Sequence, residues 1–217
     1  MTKILSLLIV VMALGACSPL SSNEPQTATY ILNPVTFAGD AQGDLAKTYL
    51  IAVDTVRVTP DLHGDRIAVL KGERERDYYA TARWNANLSD TIRTVMAESL
   101  ENKFGPVVVH PDDHRIHPKY ILQIDIRDFQ AEYDNPSADT APNIRVGMTA
   151  YLIDDETRTT MQRLKIEKTA RAAANTLTAV TATFDTLTKQ AATEIITKLA
   201  AGEMTIRKTE TGSAATF

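Results

Sequence analysis

The spacing of apolar residues predicts two long helices. In the first, Asn87 is a favoured N-cap type, and Gly105 followed by Pro106 is typical of a helix end. Its apolar stripe, which has a period near 3.6 residues, consists of Leu88, Ile92, Val95, Met96 and Leu100. The second stripe recurs at gaps of three and four from Leu177 to Leu199. This period outweighs the strand preference of its many threonines and predicts a helix over 178–201.

Alternating and β-branched patterns predict the strands. Residues 48–58 are apolar on both faces, which favours a central strand covered on both sides, whereas the charged and aromatic stretch 73–79 is predicted to be a loop or an edge. Three further strands alternate cleanly and predict an antiparallel meander with one solvated face. The predicted strands are 29–32, 48–58, 66–71, 107–109, 120–130, 144–153 and 159–171. The expected fold is therefore a single α/β domain over 29–201, with a mainly antiparallel mixed sheet, two long helices packed on one face, and a flexible tail at 202–217.

The N-terminal pattern predicts a secretory signal over residues 1–16. Lys3 precedes an apolar run, Ile4–Leu14, that is well short of the roughly 20 residues a membrane-spanning helix needs. Leu14-Gly15-Ala16-Cys17 resembles the lipobox of bacterial lipoproteins, which implies that the Cys17 sulfur carries a covalent lipid. The alternative is an ordinary signal peptide followed by an incidental cysteine.

A lipid on Cys17 would place the protein at a membrane. Two or three acyl chains anchor far more firmly than one, and the polar residues 17–28 are predicted to be a flexible tether. In lipoproteins that resemble this one, Ser18 in place of Asp favours the periplasmic face of the outer membrane. Cys17 is the only cysteine, so no disulfide is expected, and no cofactor other than this lipid is predicted.

Charge and motifs argue against several functions. The net charge is −4, and without a clustered basic face no nucleic acid partner is expected. The sequence contains no Gly-x-Ser-x-Gly, no His-Glu-x-x-His and no phosphate-binding glycine loop. Nothing in the sequence therefore nominates an enzyme, and any ATP hydrolysis must come from a partner.

Two polar clusters have ordinary interpretations. One cluster contains His110, His114 and His117, with Asp112 and Asp113 between them, and its residue types suggest a metal site. Flanking prolines, however, would break a helix that aligned these side chains. A solvated loop is therefore favoured, and no metal is predicted. The acidic residues 154–156 favour a turn between two strands over a calcium or acid–base site.

Three aromatic residues precede the first predicted helix. Tyr78, Tyr79 and Trp84 are of the types enriched at protein interfaces, so they are candidates for a partner interface. The alternative is that they close one end of the core.

The order of these features resembles the ABC-type transport auxiliary lipoproteins, including that of the paraquat-inducible system. The resemblance covers Thr29 to Leu199. It is carried by Tyr30-Ile31-Leu32, Val58-Thr59-Pro60, Asp65-Arg66, Arg83-Trp84 and the two helices that follow; the turn Leu62-His63-Gly64 departs from the family pattern.

The resemblance implies a non-enzymatic role in lipid transport. Such lipoproteins are expected to dock a mammalian-cell-entry (MCE) protein, with its ABC permease and ATPase, at the outer membrane, in some cases as a homo-oligomeric ring. These systems move phospholipid or other hydrophobic molecules across the periplasm. Two alternatives remain open: a carrier that holds a lipid in its own apolar cavity, and a periplasmic hydrolase.

Overall fold

The structure, a computed structural model, describes residues 27–37, 51–72, 74–105, 117–135 and 140–213. These residues form one eight-stranded mixed sheet, two α-helices and a short 3₁₀ helix at Pro60–Leu62. The strands are β1 (Ala28–Tyr30), β2 (Ile51–Val53), β3 (Arg57–Val58), β4 (Arg66–Lys71), β5 (Glu75–Trp84), β6 (Tyr120–Tyr133), β7 (Asn143–Asp154) and β8 (Thr160–Arg171). The helices are α1 (Leu88–Phe104) and α2 (Leu177–Ser213).

Strand β6 organises the sheet. Along one side it pairs antiparallel with β7, which pairs antiparallel with β8, so the predicted meander is confirmed. Along its other side β6 pairs in parallel with β2, β3 and β4 in succession. Strand β5 is antiparallel to β4, and the short β1 adds to β5 in parallel. The sheet therefore runs from β1 at one edge to β8 at the other.

Both helices pack on the same face of this sheet, as the sequence predicts. The apolar stripes of α1 and α2 and the inward side chains of the strands form one buried cluster. At its centre the Phe184 ring of α2 stacks on Phe129 of β6, with their centroids 4.9 Å apart. The predicted fold class, an α/β domain with a mixed sheet and two helices on one face, is confirmed.

The prediction of one long strand over 48–58 is wrong for the described part, where β2 and β3 are separate. The Asp54 carboxylate accepts the N–H of Thr55 at 2.6 Å. Such a local side-chain bond competes with the ladder between strands, so pairing stops and then resumes at Arg57.

The stretch predicted as a loop or an edge, 73–79, contains the start of strand β5. Gly72 turns the chain at a φ of +61°, a conformation that glycine adopts without strain. Opposite charges then face each other across the hairpin, with Lys71 Nζ 3.7 Å from Glu75 Oε1. Cross-strand pairs of this kind stabilise strands, so a charged sequence is compatible with β-structure here.

Helix α2 continues to Ser213, beyond the predicted end at Ala201. The added segment contains five strong helix formers, but also three threonines and two glycines, each glycine costing about 1 kcal/mol relative to alanine. Its composition therefore gives no reason to expect the extension. No helix among the described residues has the length and hydropathy that crossing a bilayer requires. The predicted signal peptide, Cys17, most of the tether and the predicted strand 107–109 lie outside the described residues.

Candidate functional site

The structure separates the three aromatic candidates. Trp84 is only 2% exposed and meets Phe184 edge-on, with ring centroids 5.4 Å apart. It therefore closes the core, the alternative interpretation of the pattern, and it presents no surface to a partner. Tyr78 and Tyr79 are half-buried, and they remain the candidates for an interface.

The two tyrosines make different contacts because consecutive strand residues point to opposite faces of a sheet. The Tyr78 hydroxyl donates to the carbonyl oxygen of Asp61 at 2.8 Å, and the Arg66 guanidinium lies 3.6 Å from its ring centroid. The Tyr79 hydroxyl instead meets that of Tyr133 on β6 at 2.8 Å. Each ring is thus held in place by a polar contact at its tip.

Tyr79 belongs to a pocket of about 300 Å³ whose lining combines apolar surface with several polar groups. Tyr133 donates its hydroxyl proton to Asn175 Oδ1 at 2.8 Å, so Tyr79 is the donor in the bond between the two phenols. Lys71 and Asp77 form an ion pair at the other side. We call this site the tyrosine pocket; its lining consists of Lys71, Asp77, Tyr79, Tyr133 and Asn175 together with Val69, Tyr78 and Ala80.

The electrostatics of the tyrosine pocket suit binding. A hydrogen bond from Lys71, followed by one from the backbone N–H of Tyr78, lowers the pKa of Asp77, and the Asp77 carboxylate raises the pKa of Lys71. Burial, reinforced by the hydrogen bond to Tyr133, raises the pKa of Tyr79 far above its usual value. Tyr79 is therefore a neutral hydrogen-bonding group at physiological pH.

Sequence reasoning missed Tyr133 and Asn175. They lie 54 and 42 positions from their hydrogen-bond partners Tyr79 and Tyr133, respectively, and only the pairing of β4 with β6, in which Lys71 is opposite Tyr133, brings them together. The sequence shows only that Tyr133 is a tyrosine at the end of a predicted strand and that Asn175 is an asparagine before a predicted helix. Neither signal identifies a pocket.

The first described strand lies close to this pocket. Ala28 of β1 lies beside Ala82 of β5, three residues beyond Tyr79. Ala28, the last residue of the predicted tether 17–28, therefore lies on the β5 side of the sheet.

The other polar clusters do not form a site among the described residues. His117 is exposed, and no group of three or more metal-binding side chains occurs in the part of the chain that is described. His110, His114, Asp112 and Asp113 lie outside it. In the acidic segment, Asp154 Oδ1 accepts the N–H of Thr157 at 2.8 Å, which confirms the predicted turn.

Comparisons with solved structures support the fold. A protein from Xanthomonas campestris, assigned to the domain family DUF330, matches with a TM-score of 0.72 at 17% identity, covering 84% of this chain and 99% of that chain. An uncharacterised protein matches with a TM-score of 0.61 at 12% identity, covering 80% and 99%. A PelC dodecamer from Paraburkholderia phytofirmans matches with a TM-score of only 0.41 at 13% identity, covering 76% and 90%, a likeness too low to bear on how this chain assembles.

The sequence itself identifies the family. No curated protein matches the chain, but residues 30–196 match the family model described as the ABC-type transport auxiliary lipoprotein component. This range includes all three aromatic candidates and every strand from β2 to β8. The chain therefore belongs to the family of ABC-type transport auxiliary lipoproteins.

Proposed function

We propose that this protein docks a lipid transport system at the periplasmic face of the outer membrane, where the lipid on Cys17 anchors it. Its partners are an MCE-domain protein and the associated ABC permease and ATPase, which move phospholipid or another hydrophobic molecule across the periplasm. The observation that carries the proposal is the family match over residues 30–196. The lipobox pattern that ends at Cys17 supports it independently.

The packing of the core favours docking over a carrier with its own lipid cavity. Between sheet and helices, the rings of Trp84, Phe129 and Phe184 contact one another at centroid distances of 4.9 to 5.8 Å. A carrier would instead need a large apolar cavity in this position. The tyrosine pocket, in contrast, is small and contains charged and hydroxyl groups.

The decisive experiment is co-purification from native envelopes. The full-length tagged protein should retain the MCE-domain protein, the permease and the ATPase after mild crosslinking and detergent extraction. An unrelated outer-membrane lipoprotein with the same tag is the control. Recovery of the protein alone, or its fractionation with the inner membrane, would contradict the proposal.

The anchor can be tested separately. Cys17→Ala should release a folded protein into the periplasm and abolish transport, because the docking point is no longer held at the membrane. A version of the domain carried on another lipoprotein's signal and lipobox should restore transport. Normal transport by the soluble form would show that docking does not depend on the anchor.

The two half-buried tyrosines provide a test of the surface. Replacing Tyr78 and Tyr79 together by alanine should reduce capture of the MCE-domain protein if the β5 side faces the partner. Phe37→Ala, at a half-buried aromatic residue beside Lys103 of α1, is the matched control. Equal capture by the double variant and the control, with both proteins folded, would exclude the tyrosines from the interface.

A further inference from the structure

Strand β8 is a long and open sheet edge. It is 12 residues long and stands last in the strand order, paired only with β7 among the described residues. Its burial alternates, and only Ile166 is buried within it. Open edges of this length template the addition of another strand.

The hydrogen bonding of β7 shows which groups of β8 point outward. Ala172 donates its N–H to the carbonyl of Pro142 at 2.9 Å, in register with the β7–β8 ladder. In an antiparallel pair, alternate residues bond the neighbouring strand, so the even-numbered residues of this part of β8 bond β7. The N–H and C=O groups that point away from the sheet therefore belong to Arg163, Lys165, Glu167, Thr169 and Arg171.

The opposite edge of the sheet is less open. Strand β1 covers β5 from Ala82 to Trp84, and the Asp77 carboxylate accepts the N–H of Tyr78 at 2.8 Å. No comparable side-chain bond to a backbone group of β8 occurs among the described residues.

A groove accompanies the open edge. It lies where β8 meets α2, has a volume of about 630 Å³ and is lined by Lys168 and by α2 residues that include Lys189, Thr193 and Lys198. The cations in the groove are already paired, Lys168 with Glu194 at 2.6 Å for example. A strand added beside β8 would direct every second side chain toward this groove, where threonine and lysine methylenes suit small side chains.

The charge of β8 indicates what such a strand carries on its other face. The strand has four basic residues and one acidic residue, in a chain whose net charge is −4. Neither Arg163 nor Lys165 forms an ion pair within the described part of the chain, and both are exposed. A second copy would bring the same cationic strand to this edge, whereas an acidic segment is complementary to it.

We propose that the outer edge of β8 and the groove beside α2 bind an extended acidic segment of a partner protein as an added strand. Backbone hydrogen bonds supply the attachment, small side chains fill the groove, and alternate carboxylates face Arg163 and Lys165. This inference deepens the proposed docking function, and it rests on that function only for the existence of a protein partner.

The test uses two labelled 12-residue peptides, one alternating Thr and Glu and the other alternating Thr and Lys. Their binding to the full-length protein in detergent is measured by fluorescence anisotropy. The Thr/Glu peptide should bind at least about tenfold more tightly than the Thr/Lys peptide. Thr169→Pro removes one outward N–H and should weaken binding about fivefold or more. Thr169→Ala, which keeps that N–H, is the matched control and should stay within about twofold of the wild type.

The backbone change should leave the fold intact, because proline is tolerated at edge positions whose N–H faces solvent. Circular dichroism and thermal unfolding check this for both variants. The charge is tested by Lys165→Glu, which should weaken Thr/Glu peptide binding, against Arg127→Glu, an equal charge change at an exposed position of β6. Loss of binding in both charge variants alike would overturn the proposed edge.

Other outcomes also overturn the proposal. The proposal fails if the two peptides bind equally, or if neither binds at about 1 mM peptide. It also fails if Thr169→Pro and Thr169→Ala have equal effects on binding. Dissociation of a homo-oligomer by Thr169→Pro would show that a second copy occupies the edge. A co-purification assay for the MCE-domain protein distinguishes failure of the β8 proposal from failure of the proposed docking function. If Thr169→Pro captures it as well as the wild type does, docking stands and uses another surface. If the wild type itself captures none, the docking function fails.

Discussion

Replacing Trp84 by alanine should come close to unfolding the domain. The side chain is 2% exposed and contacts Phe129 and Phe184 edge-on at centroid distances of 5.8 and 5.4 Å. Truncating a buried tryptophan costs about 3–5 kcal/mol, and the loss of two edge-on ring contacts, worth about 0.5–1.5 kcal/mol each, puts this site at the upper end. Because small domains have only about 5–15 kcal/mol of stability in total, much of it should be lost.

Urea unfolding followed by circular dichroism measures this loss. Fluorescence is unsuitable because Trp84 is the only tryptophan. Trp84→Phe keeps a ring against Phe184 and should lose clearly less stability than Trp84→Ala, with the same dependence on urea concentration. If Trp84→Ala lowers the free energy of unfolding by less than about 1.5 kcal/mol at an unchanged slope, the placement of this ring in the core is refuted.

Three further predictions concern polar and backbone contacts. Hydrogen bonds from Lys168 and Lys198 lower the pKa of Glu194. Above pH 4.5, the ordinary carboxyl pKa, these ion pairs therefore stabilise the fold, by less than about 1 kcal/mol. This stabilisation is lost as the pH falls through the lowered pKa. The difference in urea unfolding between Glu194→Gln and the wild type should therefore be largest at about pH 7 and shrink as the pH falls below 4.5. A Cβ on Gly147 would lie 2.8 Å from Asp128 Oδ2, so Gly147→Ala should lower the melting temperature, and less so in an Asp128→Ala background. Tyr79→Phe should cost about 1 kcal/mol in urea unfolding through its lost phenol–phenol hydrogen bond; no loss would mean that this bond adds nothing to the fold.

Local periodicity was sufficient for the elements that have one wet and one dry face. The α1 stripe from Leu88 to Leu100 predicts the helix that the structure contains, and the alternation after Tyr120 predicts β6. In these elements the burial of one face requires a fixed spacing of apolar residues, so the pattern can be read without knowing the neighbours.

Two stretches show what apolar patterning alone leaves open: 48–58, where the predicted single strand is wrong, and 73–79, predicted as a loop or an edge, which contains a part of β5 that β1 does not cover. The carboxylate of Asp54 interrupts a run of β-branched residues, and the ion pair of Lys71 with Glu75 supports a strand in a stretch that is charged and not alternating. The first outcome comes from a local side-chain bond that competes with the ladder, and the second from pairing across the hairpin, which stabilises a sheet more than propensity does.

The candidate sites divide in the same way. Cys17 and its lipobox are contiguous, so the proposed anchor can be recognised from adjacent residues alone. The aromatic group before α1 can be recognised too, but its division into a buried Trp84 and a half-exposed Tyr79 cannot, since burial depends on what packs above each ring.

The order of residues therefore specified the signal pattern, both helices, the meander and, through the family, the association with ABC transport. Three-dimensional packing was needed to place Tyr133 and Asn175 beside Tyr79, to leave β8 as the open edge, and to set a groove between that edge and α2. The physical reason is the range of the interactions. Periodicity, capping and turn chemistry act over a few neighbouring residues, whereas pockets and edges are made by strands and helices that are far apart in the chain.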